Sequence, residues 1–192
     1  WSMYPIVIGD FIKAAAEAEK GRVISWPERR LNVAPSIGEV EATLRRYAQS
    51  PGLLSCDIET GWGQVRGVSF APSPLEAIYV PFISLGAISR SYWPTLGEER
   101  RAWVAVKGAL EGPAPKLGQN FVNYDVVWLL AKMGIRPRNV RCDLRLLHKA
   151  LYPELPASLQ FMASAYSEQG AWKAWVSHGK PPVKQRGAKR DE

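Results

Sequence analysis

Asp57 and Glu59 stand two residues apart in the run Leu53-Leu54-Ser55-Cys56-Asp57-Ile58-Glu59-Thr60. Successive side chains of a β-strand alternate between faces, so the two carboxylates project from the same side. At that spacing they repel each other unless cations lie between them, and a hard divalent ion such as Mg2+ takes oxygen ligands of this kind. A pair of solvated acids on an edge strand is the plainer alternative. Leu53, Leu54 and Ile58 argue against it, because they mark an interior strand, where unpaired acids are costly.

A second cluster is Gly118-Gln119-Asn120-Phe121-Val122-Asn123-Tyr124-Asp125, followed by the apolar Val126, Val127, Trp128, Leu129 and Leu130. Asp125 opens an amphipathic helix, where it can serve as an N-cap or a first-turn acid without any catalytic part. The amides of Gln119 and Asn120 can reach a nucleotide or satisfy a loop. Aromatic faces stack bases in proteins that hold single strands, which makes Trp62, Phe121 and Tyr124 candidates beside these acids. Trp93 and Trp103 fit better as packing residues.

The elements that must carry these residues follow from pattern. Leu53–Thr60, Gln64–Phe70 and Ala77–Phe82 read as three strands in a meander, with turn residues between them. Lys116–Phe121 is a further short strand or loop. Helices are expected from about Ile8 to Ala18, from the capping pair Ser36 and Glu39 to about Gln49, and over Leu96–Leu110, Asp125–Met133, Asp143–Leu151 and Ser158–Tyr166. Strands first and helices with short strands later give an α/β domain around a mixed β-sheet flanked by helices, of about five strands. Residues 1–35 read as an N-terminal arm, 36–175 as the domain, and 176–192 as a basic tail rich in Lys and Pro.

Of 192 residues, 46% are hydrophobic and 22% charged, the composition of a globular domain. The formal charge of +7 favours a polyanionic partner such as nucleic acid. Cys56 and Cys142 are too few for a disulfide framework and read as small buried thiols, which points to a reducing cytoplasm. No apolar run has the length of a membrane span, so no membrane partner is expected. The absence of Met at position 1 suggests a domain of something longer. His148 and His178 read as bystanders.

Together the two acidic clusters resemble the proofreading exonucleases of the DEDD superfamily, which have a ribonuclease-H-like exonuclease fold. Cys56-Asp57-Ile58-Glu59-Thr60 looks like the first motif of that family. Gly118-Gln119-Asn120 with Tyr124-Asp125 and its apolar helix looks like the second. Cys142-Asp143-Leu144, His148, Leu151-Tyr152-Pro153-Glu154-Leu155-Pro156 and Ser158-Leu159 resemble the approach to the third, closest to family A DNA polymerases of the phage-like kind. The resemblance covers residues 36–175. It implies that Asp57, Glu59 and Asp125 are catalytic metal ligands for two ions, Mg2+ or Mn2+, with Thr60, Trp62, Gln119, Asn120, Phe121 and Tyr124 against the nucleic acid. The implied activity is hydrolysis from the 3′ end of single-stranded or frayed DNA, beside an attached or separate polymerase, in a bacterial or phage-infected cell.

The chain departs from the family pattern twice. Phe121 stands where the second motif has its Asn, with Asn120 one place earlier, so a one-residue bulge or a role for Asn123 is expected. The third motif's Tyr-x-x-x-Asp has no counterpart: Pro156 and Gly170 stand four residues after Tyr152 and Tyr166. Asp143 resembles the family's non-catalytic Asp that opens the preceding helix. Either the natural protein continues past Glu192, or the domain is a catalytically impaired module that binds DNA or serves structure. An RNA exonuclease of the ribonuclease D kind is a further alternative.

Overall fold

The computed structural model describes residues 4–20, 27–84 and 91–167. The basic stretch with Trp172, Trp175 and His178 lies outside the described residues. The chain divides into two compact units, Val23–Pro153 and, together, Trp1–Arg22 with Glu154–Glu192.

The larger unit is built on a six-stranded sheet in the order β1-β4-β3-β2-β5-β6. The strands are β1 (Arg30–Asn32), β2 (Leu54–Gly61), β3 (Gln64–Ser73), β4 (Glu76–Pro81), β5 (Lys116–Gly118) and β6 (Val140–Asp143). β2, β3 and β4 form the antiparallel meander expected from alternation. β1 runs parallel to β4, β5 to β2 and β6 to β5. β1 and β6 are not legible as strands: three and four residues, each run with an arginine, are too short to show a period. β1 also falls inside the stretch that reads as an arm from sequence.

Counting from the N-terminal helix described below as α1, the unit's helices are α2 (Ile37–Ala48), α3 (Leu96–Glu111), α4 (Asp125–Met133) and α5 (Leu144–Leu151). α2 starts where Ser36 and Glu39 form a reciprocal capping box. Val40, Leu44 and Tyr47 of α2 and Ala102, Val106 and Leu110 of α3 are buried with Leu54, Val68, Phe70, Ile78 and Val80 of the sheet. α4 ends at Gly134, whose φ of 62° lets its N–H close on Leu129 and Leu130 carbonyls. Trp93 is buried and Trp103 stacks on Phe82 with ring centroids 3.6 Å apart, so both pack rather than bind.

The second unit contains α1 (Tyr4–Lys20) and α6 (Leu159–Tyr166). Lys13 donates its ammonium to the carbonyls of Ala165 and Ser167 at 3.1 Å, at the C-terminal end of α6. Ser158 caps the start of α6 through the N–H of Phe161. Among the described residues, no helix is long and apolar enough to cross a membrane.

Candidate active site

The alternation of β2 is realised as the sequence requires. Cys56 and Ile58 face the core at 2% and 5% exposure, while Asp57 and Glu59 stand on the opposite, exposed face. β5 pairs with β2 only at Leu54 and Ser55, so that edge of β2 has no strand partner further along. There the Ile58 N–H donates to Oδ1 of Asp125 at 2.8 Å. The end of β5 at Gly118 thus lets the start of α4 come in beside the acidic strand. Gly118 must be glycine: a Cβ would lie 2.8 Å from both the Cys56 carbonyl oxygen and the Phe121 Cβ.

Asp125 is the first residue of α4, with Tyr124 at the N-cap position. It is buried, and burial first, then the charges of Asp57 and Asp143, outweigh its hydrogen bond to Ile58 and push it up to about 7. Asp57 is lifted to about 6 by partial desolvation and next by the Glu59 charge. Both shifts have one meaning: the site holds more negative charge than it can solvate. The Thr60 and Tyr124 hydroxyls share a hydrogen bond of 2.6 Å, so the two acidic clusters are tied twice.

This donor set fits a hard divalent cation, which would relieve the repulsion and compensate the desolvation of the carboxylates. Among the described residues, however, no three His, Cys, Asp or Glu side chains gather closely enough to form a finished metal cluster.

No protein-family model matches the chain, and no curated protein matches it. Among solved structures, the POL domain of Pol1 from M. smegmatis, in complex with DNA primer-template and dNTP, is similar over 70% of this chain and 22% of its own, with 18% identity and a TM-score of 0.53. An apo nuclease is similar over 72% of this chain and 59% of its own, at 16% identity and TM-score 0.48. The EXD2 exonuclease domain soaked in Mn and GMP is similar over 71% and 68%, at 18% identity and TM-score 0.44. Of these, the first is near enough to share a fold, and this chain spans about a fifth of its length. The chain has a ribonuclease-H-like fold, a mixed sheet flanked by helices.

Within this ribonuclease-H-like fold the residues expected to touch nucleic acid separate into two groups. Trp62 is 56% exposed and occupies, with Gly63, the two-residue β2–β3 turn. Their φ values are 52° and 75°, the mirror-image turn that suits hairpin twist but strains a bulky residue. Arg66, the extra residue of a bulge opposite Glu59 and Thr60, lays its guanidinium over the Trp62 ring at 4.8 Å. Thr60 and Gln119 are half-buried, and Tyr124 is 40% exposed.

Phe121 corrects the sequence reading. It is 0% exposed, part of the core, and cannot stack a base. The extra residue of the second motif is absorbed at Asn120, whose φ is 60° in the left-handed region that Asn tolerates. That turn sends Phe121 inward beneath Gly118.

From the sequence, Asp143 reads as the acid that opens α5. It does cap α5, accepting the N–H of Arg145 at 3.0 Å and of Leu146 at 3.4 Å. Its carboxylate also accepts the N–H groups of Asn120 and Val122 at 3.0 Å each, so it holds the whole second-motif loop. Arg145 and Tyr79 do not stand out in the sequence. Tyr79 lies over Gly67, where a Cβ would come within 2.2 Å of its ring, and burial followed by the Glu59 charge raises its phenol. Neither had a signal in the sequence, because only the sheet register brings Tyr79 near Glu59 and only the loop path brings Asn120 to Arg145. Cys56 is buried and Cys142 half-buried; both are free thiols. His148 is buried in α5, consistent with a packing residue.

Proposed function

We propose that the chain is a divalent-metal-dependent nuclease domain that removes nucleotides from the 3′ end of single-stranded or frayed DNA. One observation carries the reading: Asp125, held on Ile58 at 2.8 Å, feels the charge of Asp57, which in turn feels that of Glu59. Two ions, Mg2+ or Mn2+, would supply charge neutralisation at the scissile phosphate and acidify the attacking water. In this reading Asp57 and Asp125 hold the ions, and Glu59 holds an ion and orients the water. Thr60 and Tyr124 brace the wall beside the terminal nucleotide, and the Gln119 and Asn120 amides face the sugar-phosphate chain. Trp62 offers a base-stacking face. No protein nucleophile is needed, because water attacks in line.

The DNA context is supported by the shared fold with a polymerase solved on primer-template. In this reading the activity works beside a polymerase, attached or separate, in the cytoplasm of a bacterial or phage-infected cell. A second reading is favoured by the lack of a finished three-ligand cluster among the described residues: a module of the same fold that grips nucleic acid and cleaves poorly.

The test is digestion of a 5′-labelled single strand with Mg2+ or Mn2+, with EDTA, and with Asp57→Ala. A metal-dependent ladder shortening from the 3′ end and absent from the variant supports the exonuclease. Binding without cleavage supports the second reading. Substrates ending in a 2′-hydroxyl separate DNA from RNA preference.

A further inference from the structure

Arg145 is exposed in the first turn of α5, and its Nη1 donates to Oδ1 of Asn120 at 2.9 Å. Both residues hang on one buried carboxylate oxygen, since Oδ1 of Asp143 accepts the backbone N–H of Asn120 and of Arg145 at 3.0 Å each. Asn120 in turn sits in a left-handed conformation that leaves it little freedom. A long cationic side chain is thereby fastened at both ends, which removes much of the rotamer entropy it would lose on binding.

Among the described residues no carboxylate lies within ion-pair distance of Arg145, whereas Arg46 and Arg101 are each paired with a glutamate. A guanidinium has five donors in a planar fork, and Asn120 occupies one. What remains is a pre-aimed charge, without an ion-pair partner among the described residues, held against the loop that delivers Tyr124 and Asp125. The natural complement of such a fork is a phosphate.

We propose that Arg145 grips a backbone phosphate of the bound strand, with Asn120 and Asp143 as the positioning residues that hold it in place. The proposal rests on the nucleic-acid reading of the site and adds a contact for which the sequence contained no sign. Arg145 acts in binding and takes no part in bond cleavage.

The experiment measures binding of a labelled single-stranded oligonucleotide to the full chain in EDTA over a range of salt, for wild type, Arg145→Gln and Arg145→Lys. Gln keeps a donor for Asn120 and loses the charge. Its affinity should fall roughly fivefold to tenfold, and its salt slope should shrink by about 0.7, the value of one phosphate contact to a single strand. Its melting temperature should stay at the wild-type value. Lys should keep the slope and lose part of the affinity, having no fork to share with Asn120. Equal affinity and slope in all three, with wild type binding and shortening the strand, overturns the phosphate contact and leaves the exonuclease standing. Weaker binding by Gln with an unchanged slope also overturns it, because the side chain then acts through loop structure alone. A wild type that neither binds nor shortens the strand removes both.

Discussion

The carboxylate of Asp125 accepts the backbone N–H of Ile58 at 2.8 Å, although 67 residues separate them in the chain. One side chain therefore completes a strand edge and supplies a ligand-type oxygen to the same site. Asp125→Asn keeps an oxygen acceptor for Ile58 and loses the charge, whereas Asp125→Ala leaves a buried N–H without a partner. The first should abolish cleavage with little loss of stability. The second should cost about 1–3 kcal/mol as well. Chemical denaturation of both variants checks this, and equal stability of the two would show the bond to be unimportant for the fold.

Metal and pH should act on stability together. Asp57 rises to about 6 and Asp125 to about 7 in the folded chain, from an ordinary value of 3.8. Between those values the folded state retains protons that the unfolded chain has released, so stability without metal falls as pH climbs and levels off once both are ionised. Glu39, Glu41 and Glu76 are held low by hydrogen bonds from Ser36, Arg101 and Arg46, and their contribution is lost only at more acid pH. Melting in EDTA should therefore drop between about pH 4 and about pH 7, and Mn2+ should restore most at the upper end. Asp125→Asn should flatten the drop; an unchanged profile in that variant would remove Asp125 as its source.

Gly118→Ala should place a methyl against the Cys56 carbonyl and Phe121, both 2.8 Å away. Overpacking of this kind costs about 1–3 kcal/mol. Because the displaced loop leads to Asp125, cleavage should fall by more than the loss of folded protein accounts for. Activity normalised to folded fraction distinguishes the two effects.

Trp62 and Phe121 should behave in opposite ways. Phe121→Ala opens a cavity in the core and should cost about 3–5 kcal/mol. Trp62→Asn replaces an aromatic at φ 52° with the residue that, before glycine, best suits this turn. Its melting temperature should rise while single-strand affinity falls by about 1–3 kcal/mol, the worth of one stacked base. A lower melting temperature with unchanged affinity would make Trp62 a packing residue.

The local sequence determined the elements whose patterns need no distant partner. Alternation placed Asp57 and Glu59 on one face of β2, the Ser36 and Glu39 box started α2, and Gly134 closed α4, because periodicity and capping are properties of a few neighbouring residues. Tertiary structure decided the rest. Asn120 turns left-handed because Asp143, 23 residues away, takes its N–H, and that turn buries Phe121 and brings Arg145 onto the loop. β1 and β6 become strands only because neighbours supply their hydrogen bonds. The raised Asp125 likewise depends on an edge of β2 left open by the end of β5. Burial and charge at a site are set by what folds over it, and spacing along a chain does not contain that information.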